Sequence, residues 1–103
     1  MVNKELLQKL PALKECLARE PIEKAWVFGS FSRGEETDAS DVDIMVCYRD
    51  DMRVSLFTIG HIYNEIKKVL GREVDLVEDG FLMPYAQEEA YKDRILIYER
   101  GNK

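Results

Sequence analysis

The sequence predicts an α/β domain of the α+β kind, a small mixed β-sheet flanked by helices. Three observations carry this. Short apolar runs bounded by glycine or polar turns recur at Ile22–Phe28, Val42–Tyr48, 73–77 and 95–98. Stretches with apolar residues three and four apart lie between or before them, the mark of amphipathic helices. The 103 residues show no repeat, linker or low-complexity segment, so a single domain spanning 1–103 is expected.

Leu6, Leu10, Leu13 and Leu17 line one face of a leading helix. Pro11 interrupts it, so the helix either starts near Pro11 or kinks there. Pro21 marks its end. The first strand, Ile22–Phe28, stops at Gly29, and the second, Val42–Tyr48, runs into a polar turn over 49–52. Ser55 is a suitable N-cap for the next helix. Ile59, Ile62, Tyr63, Ile66, Val69 and Leu70 form its apolar face. Lys67 and Lys68 complement its negative pole, and Gly71 follows as a C-terminal cap. A third strand is expected over 73–77. Pro84 suits the first position of a helix reaching about Arg94, and a final strand covers 95–98.

Composition narrows the function. Asp and Glu number 20 against 15 Lys and Arg, a net charge of −5. A free-standing nucleic-acid binder usually carries a basic patch, so a long DNA or RNA substrate is not expected. No apolar run approaches the roughly 18 residues of a membrane span. The N-terminus lacks the apolar core of a secretory leader, so a mature cytoplasmic protein is expected. Cys16 and Cys47 form neither a disulfide framework nor a metal-ligand spacing, and are read as reduced, mostly buried thiols.

The stretch from Gly29 to Val46, GSFSRGEETDASDVDIMV, holds the chemistry. Gly29 lets the backbone approach a ligand closely. Ser30 adds a hydroxyl able to donate to a phosphate oxygen, and backbone N–H groups near a helix start attract phosphate. Asp41 and Asp43 are two apart, so on a strand they point the same way. Paired carboxylates repel unless a cation or a proton intervenes, and Mg²⁺ typically takes one or two carboxylates plus substrate phosphates. In isolation, Gly-Ser and Asp-x-Asp each read first as an ordinary turn. Asp75 is an acid inside an apolar strand. It either faces solvent on a half-exposed strand or, if that strand lies beside the Asp41/Asp43 strand, joins them. Three carboxylates on two strands suit two Mg²⁺ ions and in-line attack on an α-phosphate.

Gly-Ser, about ten residues, then Asp-x-Asp, with a later strand Asp, resembles the nucleotidyltransferase superfamily related to DNA polymerase beta. The length and the blocks GSFSRG, SDVDIMV, LFTIGHIYNEIKKVLGREVDLVEDG and RILIYER resemble its minimal members. The resemblance implies the polymerase beta-like fold and Mg²⁺-dependent nucleotidyl transfer, with ATP as substrate. Carried over, Gly29 and Ser30 hold triphosphate, with Arg33 assisting. Asp41, Asp43 and Asp75 are catalytic and metal-binding, and Asp75 also serves as base. Minimal members often sit beside a small helical HEPN-type partner with RNase-like activity. There they act as antitoxins, and some transfer AMP to a tyrosine of the partner.

Two departures stand out. Phe31 replaces a basic residue common after Gly-Ser, and the loop Glu35-Glu36-Thr37-Asp38-Ala39 is acidic. Acids facing a triphosphate would weaken its binding. Phe31 is the better base-stacking candidate, whereas Trp26 and Phe28 read as core. His61 reads as a surface or partly buried residue, with no partner for a zinc set. Tyr85, Tyr91 and Tyr98 read as packing or partner contacts. The loop 81–84 reads as core or as an exposed partner patch. Two other readings remain. One is a non-catalytic binding module that neutralises its partner by covering it. The other is a transferase acting on a small cationic molecule of the aminoglycoside kind, whose pocket a homo-oligomer would have to build.

Overall fold

In a computed structural model of the chain, residues 4–37, 39–50 and 53–101 are described. Asp38, Asp51 and Met52, which belong to the acidic loop and the polar turn read from sequence, lie outside these residues. The element order is α1 (Lys4–Ala18), β1 (Ile22–Phe28), α2 (Ser30–Arg33), β2 (Val42–Tyr48), α3 (Leu56–Leu70), β3 (Val74–Glu78), α4 (Pro84–Asp93) and β4 (Ile95–Glu99).

Helix α1 begins before Pro11 and continues past it, so the helix does not start at the proline. Leu6, Leu13, Cys16 and Leu17 are buried on either side of the proline. The carbonyl deprived of its partner is that of Leu7, a half-exposed residue, so water can serve it. Helix α3 begins and ends as its sequence dictates. The Ser55 side chain accepts from the Thr58 N–H. Gly71, at φ 66°, donates its N–H to the Lys67 carbonyl. Helix α4 has Pro84 in its first turn.

The four strands form one sheet in the order β3-β2-β1-β4. Strand β1 pairs antiparallel with β2 and with β4. Strand β2 pairs parallel with β3, which requires the α3 crossover between them. The sheet is therefore mixed, and β3 and β4 are its edges. The third strand starts one residue later than the sequence reading, and β4 runs one residue longer.

Alternation divides the sheet into two faces. Val42, Ile44 and Val46 of β2 join Ala25 and Val27 of β1 beneath α1 and α3. Leu13, Leu17, Ile62 and Ile66 from those helices are fully buried, each contributing about 2 kcal/mol of apolar burial. Trp26 and Met45 point to the opposite face, where Ala90 of α4 covers them. Arg94, just after α4, lies between the rings of Trp26 and Tyr91, 4.2 Å from each centroid. It also pairs with Asp79 at 3.6 Å. Among the described residues, no helix is long and apolar enough to cross a membrane.

Candidate active site

One end of the α4-side face carries the acids singled out in the sequence. Phe28 of β1 lies opposite Asp43 of β2, and Asp43 lies opposite Asp75 of β3. Partners in register point to the same face, so Asp43 and Asp75 are neighbours across two strands. Asp41 precedes β2 by one residue and keeps the same parity as Asp43. The conditional placement of Asp75 is thus resolved: it shares the Asp43 face.

The three acids differ in exposure. Asp41 and Asp75 are exposed, while Asp43 is half-buried. Burial, then the charges of Asp75 and Asp41, push the Asp43 carboxyl from 3.8 up to about 6, with Arg33 opposing. Desolvation leads, and repulsion between neighbouring acids adds to it.

Gly29 closes the other side. Its φ of 71° and ψ of −151° suit only glycine. A Cβ there would stand 2.1 Å from Asp43 Oδ2, so the bare backbone lies against that carboxylate. Strand β1 then turns at once into α2. Ser32 Oγ donates to the Gly29 carbonyl at 2.7 Å, and Gly34 ends the helix at φ 72°. Ser30 is therefore the first residue beyond the glycine that abuts Asp43.

Helix α2 was not foreseen as such, and it corrects one expectation. Its first turn rotates Phe31 inward, where the ring is 1% exposed and packs in the core beneath α1 and α3. Phe31 is thus unable to stack on a nucleotide base. Trp26 is core, as read. His61 is exposed and pairs with Glu20 at 3.1 Å. Both cysteines are free thiols, Cys16 buried and Cys47 half-buried. Of the apolar loop, Leu82 packs beside Trp26, while Phe81 and Met83 are exposed.

Arg33 sits at the end of α2, close enough for its charge to act on Asp43. Its guanidinium bonds Glu35 Oε1 at 2.8 Å and also Asp93 at the end of α4. These two carboxylates, Glu35 foremost, hold it firmly protonated. One of the loop acids is therefore turned to Arg33. A hollow of about 700 Å³ adjoins Asp41 and is lined by Glu5, Ser40, Lys67, Arg72 and Glu73.

Among the described residues, no three Asp, Glu, His or Cys side chains converge into a ready-made metal site. The chemistry of the acids still fits Mg²⁺. They are hard oxygen donors, and burial followed by the charges of Asp75 and Asp41 raises Asp43. That ion keeps several waters and needs only one or two protein carboxylates.

The sequence passed over Arg72. It contacts both the loop before Asp41 and the ring of Phe31. A single arginine after a helix-ending glycine carries no pattern that would have marked it.

The family model described as Polymerase beta, Nucleotidyltransferase matches residues 12–103. Two proteins of Methanocaldococcus jannaschii, both described as candidate protein adenylyltransferases, are similar. MJ0435 is 34% identical over 78% of each chain, and MJ0126 is 30% identical over 91% of this chain and 93% of its own. A solved structure described as a candidate minimal nucleotidyltransferase superposes with a TM-score of 0.76 at 27% identity. It covers 92% of this chain and 95% of its own. A toxin–antitoxin crystal structure with AMP-PNP shares the fold at TM-score 0.69 and 19% identity, over 96% of this chain and 76% of its own. A tri-AMPylated Shewanella oneidensis HEPN toxin in complex with an MNT antitoxin also matches. It has a TM-score of 0.66 at 15% identity, over 90% of this chain and 71% of the other. With the glycine turn, the acids in register and the matched family model together, the chain belongs to the polymerase beta nucleotidyltransferase family and has the minimal nucleotidyltransferase fold.

Proposed function

We propose that this chain transfers AMP from ATP to a hydroxyl on a partner protein. The proposed acceptor is a small helical HEPN-type toxin, neutralised in the cytoplasm by this chain acting as antitoxin. The observation that carries the reading is the register of Asp43 with Asp75, beside Asp41 and against Gly29. The nucleotide and acceptor are suggested by similar proteins: the Methanocaldococcus relatives described as candidate protein adenylyltransferases, and the AMPylated toxin bound by its MNT antitoxin.

In this reading the Gly29 backbone and the Ser30 hydroxyl grip the triphosphate. Arg33 exchanges Glu35 and Asp93 for a phosphate oxygen. Asp41, Asp43 and Asp75 would hold Mg²⁺, with two ions expected. The bound ions would offset phosphate charge and ease deprotonation of the acceptor hydroxyl. Asp75 takes the hydroxyl proton. The acceptor oxygen forms a bond to the α-phosphorus, the α–β bridging P–O bond breaks, and pyrophosphate leaves. One domain over residues 1–103 suffices for these roles.

A second reading, neutralisation by complex formation alone, is favoured by large apolar side chains at the surface. Phe57 is 92% exposed, Leu56 85% and Phe81 77%. The deciding experiment supplies α-labelled ATP and Mg²⁺ to host lysate with wild-type protein or Asp43→Asn. A labelled protein band that requires Asp43 supports transfer to protein. No band, with the partner still captured by both proteins, would replace catalysis with binding.

A further inference from the structure

We infer that Arg72 is a positioning residue that sets the loop before Asp41 and the first turn of α2 in one frame. Helix α3 ends at Leu70, and the left-handed Gly71 turns the chain back toward the sheet. That turn leads the side chain of residue 72 beneath the loop. Its Nη1 donates to the Thr37 and Ser40 carbonyls, both at 3.3 Å. Its Nε donates to Glu5 Oε2 of α1 at 3.3 Å. The guanidinium carbon lies 5.0 Å from the Phe31 ring centroid, and the side chain is 19% exposed.

Two of these contacts, with Ser40 and Phe31, are one residue from a group of the site. Ser40 precedes Asp41, and Phe31 follows Ser30. Arg72 itself stands three residues before Asp75, at the point where the Val42 N–H donates to the Glu73 carbonyl at 2.9 Å. One planar cation therefore joins the segments carrying the phosphate-side hydroxyl and two of the three acids. Lysine would keep the charge but not the fork or the flat stacking surface. Within the loop, the Ser40 N–H reaches the Thr37 carbonyl and the Thr37 N–H reaches Ser40 Oγ. Those bonds shape the turn without fastening it to the sheet.

The inference rests on the roles given above to Asp41 and Ser30. Its test uses the full chain with Arg72→Met and Arg72→Lys. Hydrogen exchange is read at the Thr37 and Ser40 amides, and at Ile44 and Val46 in the sheet. Mn²⁺ alone serves as the metal probe, its binding followed by electron paramagnetic resonance. In Arg72→Met the loop amides should exchange at least tenfold faster, with the sheet amides unchanged. The Mn²⁺ dissociation constant should rise about tenfold, and Arg72→Lys should fall between the methionine variant and wild type. Loop exchange at the wild-type rate would overturn the inference. So would loop and sheet amides accelerating by one common factor, because Arg72 would then only stabilise the fold. Asp43→Asn is the control for the site itself. If it binds Mn²⁺ as wild type does, the metal assignment fails, while the exchange data still decide whether Arg72 fixes the loop.

Discussion

Asp43→Asn keeps the shape of the side chain and removes its charge, so it separates what the acid does for chemistry from what it does to the fold. In the folded protein the carboxyl is raised from 3.8 to about 6, first by burial and then by Asp75 and Asp41. One pH unit corresponds to about 1.4 kcal/mol, giving about 3 kcal/mol as an upper bound. The group is only half-buried, and solvent screening reduces this to about 1–2 kcal/mol. Because the folded value lies above the unfolded one, the penalty is absent below about pH 4, grows between 4 and 6, and is complete above 6. Urea denaturation in EDTA should therefore find Asp43→Asn about 1–2 kcal/mol more stable than wild type at pH 7.5. The gain should shrink by pH 4.5. For a chain of this size that is a rise in melting temperature of roughly 5–10 °C at neutral pH. Adding Mg²⁺ should stabilise wild type and narrow the difference. Equal stability at pH 7.5, or a gain that persists unchanged at pH 4.5, would refute the electrostatic reasoning.

Two further outcomes follow from the packing. Gly29→Ala places a Cβ 2.1 Å from Asp43 Oδ2 at a left-handed φ, so stability should fall by about 2–3 kcal/mol in urea. Label transfer should drop at least a hundredfold, because the carboxylate must move. Arg94→Ala removes the cation held between Trp26 and Tyr91 and the pairing with Asp79. It should cost about 1–3 kcal/mol, with increased protease cleavage within α4, while the helices of the opposite face keep their circular dichroism.

The legible parts of this molecule were those written in short periods. Asp41 and Asp43 could be read as a pair because a strand repeats every two residues, and that is visible in any strand. Ser55, Gly71 and Pro84 act within one helical turn of where they stand, so their roles were also plain. Asp75 could be read only conditionally, since strand order decides whether β3 lies beside β2, and nothing local fixes strand order. Phe31 went wrong for a different reason. Helix α2 has four residues, too few to show a helical period, yet one turn is enough to swing an aromatic from ligand to core. Arg72 bonds carbonyls 32 and 35 positions away, a relation made by folding alone.

The sheet order has a consequence for what can be served. Asp75 lies on an edge strand, and among the described residues no strand runs beyond it. Asp43 lies one strand inward, sheltered by the glycine turn. A reacting group can thus come in sideways over the rim, attached to a body of any bulk, instead of descending into a fitted well. In the proposed reaction, discrimination between acceptors then falls to the surfaces that bring the two bodies together.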